Sequence, residues 1–332
     1  DFTLADLLAP EGYQAGGLAI GAHLSRSLRI AGEELDGAWG GVEFLQNVAL
    51  GKPPDLAGKR VAVIGGGNTA IDAARTTIRL GASEVNLVYR RTRRDMPAQD
   101  LEIQEAEEEG LKMHFLVNPT RIVGNGKVEG LELTVQELGE FDNSARRRPH
   151  PIEGSEFVLP VDVVIAAIGQ STGGACLQGC GVESERSSAI KVDRQLATTR
   201  EGVFAAGDAV LGPATVIEAV AQGNAVAQAV DSYLRGGEPE SKDEWLAYRE
   251  MPLPWNVDDY AEATRPEMPV QAPNVRRHNW QQVELGFSEA TCLQECRRCL
   301  RCDLEEGELL SMRELVEAPS RGVEEHFDKT TA

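Results

Sequence analysis

Along the pattern of apolar and polar positions, one stretch has an order that reads clearly. The segment Gly51-Lys52-Pro53-Pro54-Asp55-Leu56-Ala57-Gly58 has the composition of a linker, and an apolar run from Arg60 to Ile64 follows it directly. Glycine and proline at that density punctuate structure, and a short unbroken apolar run marks a strand covered on both faces. From Asn68 to Leu80 the apolar residues Ile71, Ala74 and Ile78 recur at helical spacing, and Gly81 ends the helix. Val85 to Tyr89 reads as a second buried strand, Leu101 to Glu109 as an acidic helix, and Lys112 to Val117 as a third strand. This alternation of strands and helices predicts a parallel sheet with right-handed crossovers. Arg121 to Val123 and Val128 to Glu137, around Gly124-Asn125-Gly126, predict an antiparallel meander, and Val161 to Ile168 a last buried strand.

The flanks are less regular. Thr3 to Ala9 predicts a short helix, and Tyr13 to Ile20 a strand weakened by Gly16 and Gly17 and broken by Gly21-Ala22-His23. Gly202 to Asp208 predicts a strand ending in glycine and aspartate, followed by a long Ala/Val-rich helix from Thr215 to Leu234. Beyond Gly236 the composition turns to Pro, Glu, Trp and Asp with little periodicity, so residues 237–285 read as an extended connector.

Composition narrows the function classes. A chain of 332 residues, 42% of them hydrophobic, can build two cores of ordinary size. It has no run of about 18 apolar residues, so no membrane span is expected. A net charge of -20 argues against a nucleic-acid partner, which needs a cationic face. Asp1-Phe2-Thr3 is neither a basic signal region nor an initiator methionine, so the chain is expected to continue a longer polypeptide. Of the six cysteines, Cys176 and Cys180 read as structural thiols, while Cys292, Cys296, Cys299 and Cys302 crowd the tail. Thiols clustered in one segment of a large acidic chain favour metal ligation in a reducing compartment, hence the cytoplasm.

The glycines after the Arg60–Ile64 run carry the chemistry. Gly65-Gly66-Gly67-Asn68-Thr69-Ala70 fits Gly-x-Gly-x-x-Ala between a predicted strand and a predicted helix. In such a loop the first glycine permits the turn, the second lets backbone approach a pyrophosphate, and the small sixth residue lets helix pack on strand. The helix N-terminus, at Asn68 and Thr69, then faces the phosphates. The next strand should present the group that reads the adenosine ribose, about 20 residues on. Here it ends in Tyr89-Arg90-Arg91-Thr92-Arg93-Arg94. Arg90 and Arg91 offer forked donors for a 2′-phosphate, which favours NADPH over NADH.

With these residues in view the chain resembles the family of the bacterial glutamate synthase small subunit (beta chain) and its flavin-dependent electron-transfer relatives. The likeness covers residues 13–236 and rests on Val61 to Thr76, Tyr89 to Ala98, Glu137 to Glu156, Ala167-Ile168-Gly169-Gln170 and Gly202 to Gly223. It implies an α/β fold with a Rossmann-like NAD(P)-binding domain inserted in a partial FAD-binding domain, followed by an extended Cys-rich tail. The domain plan is then residues 1–50, partial FAD domain and linker; 51–172, NADPH domain; 173–236, the FAD domain's return segment; and 237–332, connector and tail. The family's FAD glycine fingerprint is expected upstream of Tyr13. By the same resemblance, Gly21, Gly207 and Asp208 lie at FAD, the amides of Thr215, Val216 and Ile217 meet the flavin ring, and Gly169 lies at the nucleotide.

In the tail, Cys292-x-x-x-Cys296-x-x-Cys299-x-x-Cys302 can wrap a [4Fe-4S] cluster; zinc and plain helical cysteines are the alternatives. A flavin that takes a hydride must release electrons singly, which favours the cluster. The expected function is therefore hydride transfer from NADPH to FAD, then passage of single electrons to a partner subunit in a hetero-oligomer. The alternatives are a glutamate synthase small subunit proper and a non-catalytic nucleotide-binding scaffold. No side chain need act as acid or base in the hydride step, so no catalytic residue is nominated.

Overall fold

Both faces of the central sheet are covered, which is why its strands read as unbroken apolar runs. The computed structural model describes residues 3–8, 12–141, 146–173, 177, 179–185, 188–237, 264–296 and 298. The chain divides into two units, residues 1–246 with 272–281 and residues 247–271 with 282–332.

In the first unit, helix α1 (Leu4–Leu7) precedes strands β1 (Gly16–Leu18), β2 (Leu24–Ser25) and β3 (Ala38–Gly40) and helix α2 (Gly41–Ala49). The βαβ region follows as β4 (Arg60–Ile64), α3 (Asn68–Arg79), β5 (Glu84–Tyr89), α4 (Asp100–Glu108) and β6 (Lys112–Phe115). Then come β7 (Val117–Gly124), β8 (Val128–Phe141), β9 (Arg147–Pro151), β10 (Phe157–Leu159), β11 (Val163–Ala166) and β12 (Gln170–Ser171). Strand β13 (Val203–Ala205), helices α5 (Asp208–Leu211) and α6 (Val216–Leu234), and a returning turn of helix, α7 (Pro273–Arg276), complete it.

The five-stranded sheet has the order β3-β11-β4-β5-β6, and all its pairings are parallel. Strand β4 alternates its side chains between two cores. Val61 and Val63 pack with Phe44, Ile71, Ala74 and Ile103 under α2, α3 and α4. Ala62 and Ile64 pack with Val117, Leu131 and Leu133 under the meander of β7 and β8. The sheet takes in Ala38–Gly40, so residues upstream of the Gly51 linker share this core. The strand expected over Lys112 to Val117 is two strands, because Leu116 adopts a positive φ of 56° and turns the chain into β7.

A smaller parallel pair, β1 with β13, carries the other half of the unit. Ala205 and Ala209 pack there with Leu177 and Ile190, and Phe204 meets Tyr233 of α6 edge-on. The two halves are joined by the antiparallel pair β2 and β12. These features make the fold a Rossmann-like α/β arrangement with a nucleotide-type sheet set between β2 and β12.

The returning segment 272–281 adds an ion cluster. Arg276, fully buried, donates Nε to Glu109 at 3.0 Å and Nη2 to Glu108 at 2.8 Å. Glu109, equally buried, also accepts from Arg75 at 2.7 Å and Arg79 at 2.9 Å. Burial opposes its ionisation, but the hydrogen bonds from Arg75 and Arg79 outweigh that and hold its carboxyl below the usual carboxylate range. In the second unit, α8 (Glu289–Cys296) carries Cys292 and Cys296, and Val270 bridges Glu284. Among the described residues no helix is long and apolar enough to cross a membrane.

Removing one partner from a buried charge cluster leaves the others uncompensated, at a cost of about 3–5 kcal/mol, whereas an exposed pair is worth at most about 1 kcal/mol. Arg276→Met is therefore expected to lower stability by about 3–5 kcal/mol in chemical denaturation followed by tryptophan fluorescence. Lys191→Ala, which removes the exposed Lys191–Glu183 pair, should change it by less than about 1 kcal/mol. Equal effects would show that the Arg276 cluster holds nothing.

Candidate functional site

Ligands of open α/β sheets sit beyond the carboxyl ends of the strands, where the strand order switches. Here β4 is flanked by β5 on one side and β11 on the other, and the glycine loop leaves its carboxyl end. Gly65 has φ 143°, and a Cβ there would collide with the carbonyl oxygen of Ala167 beyond β11. Only glycine meets both conditions. A Cβ on Gly66 would come within 2.5 Å of the Tyr89 ring. Around Gly67 there is space, since a Cβ would meet nothing nearer than Pro97 at 3.8 Å. The backbone of Gly67 is thus the approachable part of the loop, and Gly67 is the N-cap of α3. That is a cradle suited to a pyrophosphate.

The first residues of α3 are tied to both neighbours of the loop. Asn68 Oδ1 accepts from the Gln99 amide at 3.3 Å, and Thr69 Oγ1 accepts from Gln170 Nε2 at 3.1 Å. Gly169 lies at the same junction: its carbonyl accepts from the Arg26 amide at 3.0 Å, and Arg26 Nε donates to the Gln170 carbonyl at 2.9 Å. Arg26, from a segment 144 residues earlier, makes a bond to Gln170 that no motif spacing announces.

At the end of β5, Tyr89 lies on the glycine loop and its hydroxyl donates to the Asp95 carbonyl at 2.7 Å. Arg90 is exposed to solvent. Arg91 is 4% exposed and donates Nε to the Arg147 carbonyl at 2.9 Å. The two neighbouring arginines therefore have different surroundings: one faces solvent, and the other holds the β8–β9 hairpin. Arg93 pairs with Glu107 of α4 at 2.5 Å.

The other half of the site lies at β13. Gly207 has φ 70°, which sets the turn from β13 into α5. Asp208 Oδ1 accepts from the Ala214 amide at 3.3 Å, which orients the carboxylate. At the start of α6, Thr215 and Glu218 cap each other reciprocally: the Thr215 amide donates to Glu218 Oε2 at 2.8 Å, and the Glu218 amide to Thr215 Oγ1 at 3.4 Å. Hydrogen bonds from the Thr215 hydroxyl and amide hold the Glu218 carboxyl below its ordinary range. The amides of Val216 and Ile217 have no acceptor among the described residues, and both side chains are exposed. A helix terminus with open amides suits an electron-rich ring carbonyl. Gly21 lies between β1 and β2 with φ 69°.

Cys292 and Cys296 stand one turn apart on α8, both exposed. Cys299 and Cys302 lie outside the described residues, as does Cys176. An apolar cavity of about 490 Å³, lined by Leu45, Val48, Thr76, Leu80 and Trp280, lies at the far end of α3 from the glycine loop.

Residues 13–223 match the pyridine nucleotide-disulphide oxidoreductase family. Over 301 residues the chain is 44% identical to the NADP(+)-dependent formate dehydrogenase subunit beta of Moorella thermoacetica, covering 87% of this chain and 42% of that protein. It is 36% identical over 339 residues to the NADPH-Fe(3+) oxidoreductase subunit beta of Geobacter sulfurreducens, covering 91% and 50%. It is also 36% identical over 251 residues to the glutamate synthase [NADPH] small chain of Escherichia coli, covering 70% and 53%. The chain thus spans about half the length of the curated relatives it matches. Mycobacterium tuberculosis FprA, solved in complex with NADPH, shares the fold with a TM-score of 0.57 at 24% identity, over 72% of this chain and 70% of that one.

The open space at Gly67 has a measurable consequence. Gly67→Ala is expected to cost about 1 kcal/mol of stability, through the weaker helix cap. It should weaken NADPH binding by about tenfold or more, because the methyl group occupies the approach to the loop. Calorimetric titration compares the two proteins, and unchanged affinity would place the pyrophosphate elsewhere.

Proposed function

Because the chain belongs to the pyridine nucleotide-disulphide oxidoreductase family, we propose that it is an electron-transfer subunit. In this reading NADPH is its substrate, FAD its flavin, and a [4Fe-4S] centre in the C-terminal tail its exit to a partner subunit of a hetero-oligomer. The observation that carries the reading is the glycine loop, with Gly67 open to a pyrophosphate and Arg90 exposed at the end of the adjacent strand. The relatives support it, since each is named for NADP(+) or NADPH and as a subunit or chain.

The residues present fit the groups proposed. The backbone of Gly65 and Gly67 and the start of α3 at Asn68 and Thr69 would hold the pyrophosphate, and Arg90 the 2′-phosphate, which NADH lacks. Gly169, bonded to Arg26, would set the edge of the same crevice. Asp208, oriented by Ala214, would accept from a ribityl hydroxyl, with Gly21 and Gly207 allowing close backbone approach. The amides of Thr215, Val216 and Ile217 begin the helix that would face the flavin ring. Bound FAD supplies the chemistry of accepting two electrons as hydride and returning them one at a time. The protein contributes orientation, and no side chain is assigned an acid or base role. Cys292 and Cys296, with Cys299 and Cys302 of the tail, would ligate the iron. The proposed domain plan gives 51–172 to NADPH, with β3 and α2 (Ala38–Ala49) sharing that core, the rest of 1–50 with 173–236 to FAD, and 237–332 to connector and tail, of which 272–281 packs on the NADPH core.

Iron separates this reading from a zinc-bearing tail. Full-length protein purified without oxygen is expected to contain iron and acid-labile sulfide, and Cys292→Ser to lose iron while keeping its flavin. Zinc without iron in the parent protein would remove the proposed exit route.

A further inference from the structure

Helix α6 lies on the β1–β13 pair along one narrow strip. A Cβ on Gly207, just past the end of β13, would stand 3.8 Å from Ala219 Cβ, and one on Gly17 of β1 would stand 3.6 Å from Val226 Cγ1. Farther along the helix, Tyr233 meets Phe204 edge-on. Residues 219, 222, 226 and 233 fall on one face at helical spacing, so Gln222 stands among small and apolar neighbours. It is half-buried there, where a polar group needs a partner. It has one: Gln222 Oε1 accepts from the Gly207 amide at 2.7 Å.

The backbone explains why that amide takes a side-chain acceptor. The β1–β13 ladder ends one residue earlier, with the Ala206 amide donating to the Leu18 carbonyl at 3.0 Å. Gly207, at φ 70°, then turns the chain out of the sheet into α5, and its N–H is the first that the ladder does not serve. The same turn carries both ends of the proposed flavin site. Asp208 follows Gly207 directly, and its Oδ1 accepts from the Ala214 amide, one residue before the cap of α6 at Thr215. Two bonds, Gly207 to Gln222 and Ala214 to Asp208, therefore span the passage from β13 to α6. The second is longer, at 3.3 Å, and exposed to solvent, so the first is the stronger constraint.

We propose that Gln222 is a positioning residue for the flavin: by holding the Gly207 amide, it fixes the Asp208 carboxylate relative to the first amides of α6, so that one FAD molecule meets both. The proposal rests on the reading of the β13–α6 half as the flavin site. Gln222 lies about two turns into α6, and its effect comes through the backbone it holds. A site whose parts are fixed before the ligand arrives loses less binding free energy to ordering them.

Full-length protein stripped of flavin is titrated with FAD by flavin fluorescence, and the midpoint potential of the reconstituted flavin is measured by spectroelectrochemistry. Gln222→Met keeps the length of the side chain and removes the acceptor. It is expected to weaken FAD binding by about tenfold, the effect of leaving a partly buried amide without its bond. The potential should move to more negative values, because the α6 amides are no longer held against the reduced ring. Gln222→Asn, one methylene shorter, should behave like Gln222→Met. Gln222→Glu, which keeps an acceptor oxygen at the same reach, should bring FAD binding back to within about threefold of the parent. Gln228→Met, the same change at an exposed position of α6, should alter neither affinity nor potential. Loss of helix packing alone would lower the unfolding midpoint of the flavin-free protein and leave the potential where it was. Unchanged FAD affinity, an unchanged potential, or a loss that Gln222→Glu does not restore overturns the proposal. Asp208→Asn keeps the two levels apart. If it weakens FAD binding while Gln222→Met does not, only the role of Gln222 falls. If neither substitution does, the assignment of the flavin to β13 and α6 falls with it.

Discussion

The structure around the site depends on two missing side chains. At Gly65 the chain passes so close to the Ala167 carbonyl that one methyl group would force β4 away from β11, and at Gly66 so close to the Tyr89 ring that a methyl group would displace the ring. Close-packed interiors pass such a displacement on and do not absorb it. Ala167 leads within two residues to Gly169, and Gln170 beyond it holds Thr69 of the glycine helix. Tyr89 leads directly to Arg90. The carboxyl ends of three strands and the start of α3 are thus registered against one another by a contact that only glycine allows. The open space at Gly67, where we propose the pyrophosphate lies, is what is left when that contact is made.

The ion cluster on the far side gives this arrangement a second support. Arg75 and Arg79 belong to α3, which begins at the glycine loop, while Glu105 and Glu108 belong to α4, with Glu109 next in sequence. Arg276 joins them from a segment more than 160 residues away. Burying such charges is unfavourable unless each is paired, so the cluster specifies how α3 and α4 sit more than it adds net stability. The start of α4 is in turn linked to the loop, since the Ala98 amide donates to the Gly66 carbonyl at 3.2 Å.

Much of this was legible before any coordinates. The run Val61 to Ile64 could be read as a strand because both its faces are buried, and α3 because Ile71, Ala74 and Ile78 repeat at its period. The glycine loop could be placed because it falls between them. What escaped was set by distance or brevity. Strand β3 is three residues long, too short for any period to show. The break at Leu116 is a single positive φ in an apolar run, with no glycine to announce it. Residues 237–285 read as a connector from composition, yet within that range Arg276 is fully buried among carboxylates. The differing surroundings of Arg90 and Arg91 depend on the Arg147 carbonyl of β9, which no local spacing brings near.

These elements combine into one account, in which the sheet ends hold NADPH and the β13–α6 half holds the flavin. Anaerobic rapid mixing tests it most directly. Full-length protein with its bound flavin is mixed with NADPH or with NADH at equal concentration, and the flavin's visible absorbance is followed. The account predicts rapid bleaching by NADPH and much slower bleaching by NADH. Absence of flavin absorbance in the protein as purified, or equal rates with the two nucleotides, would contradict it.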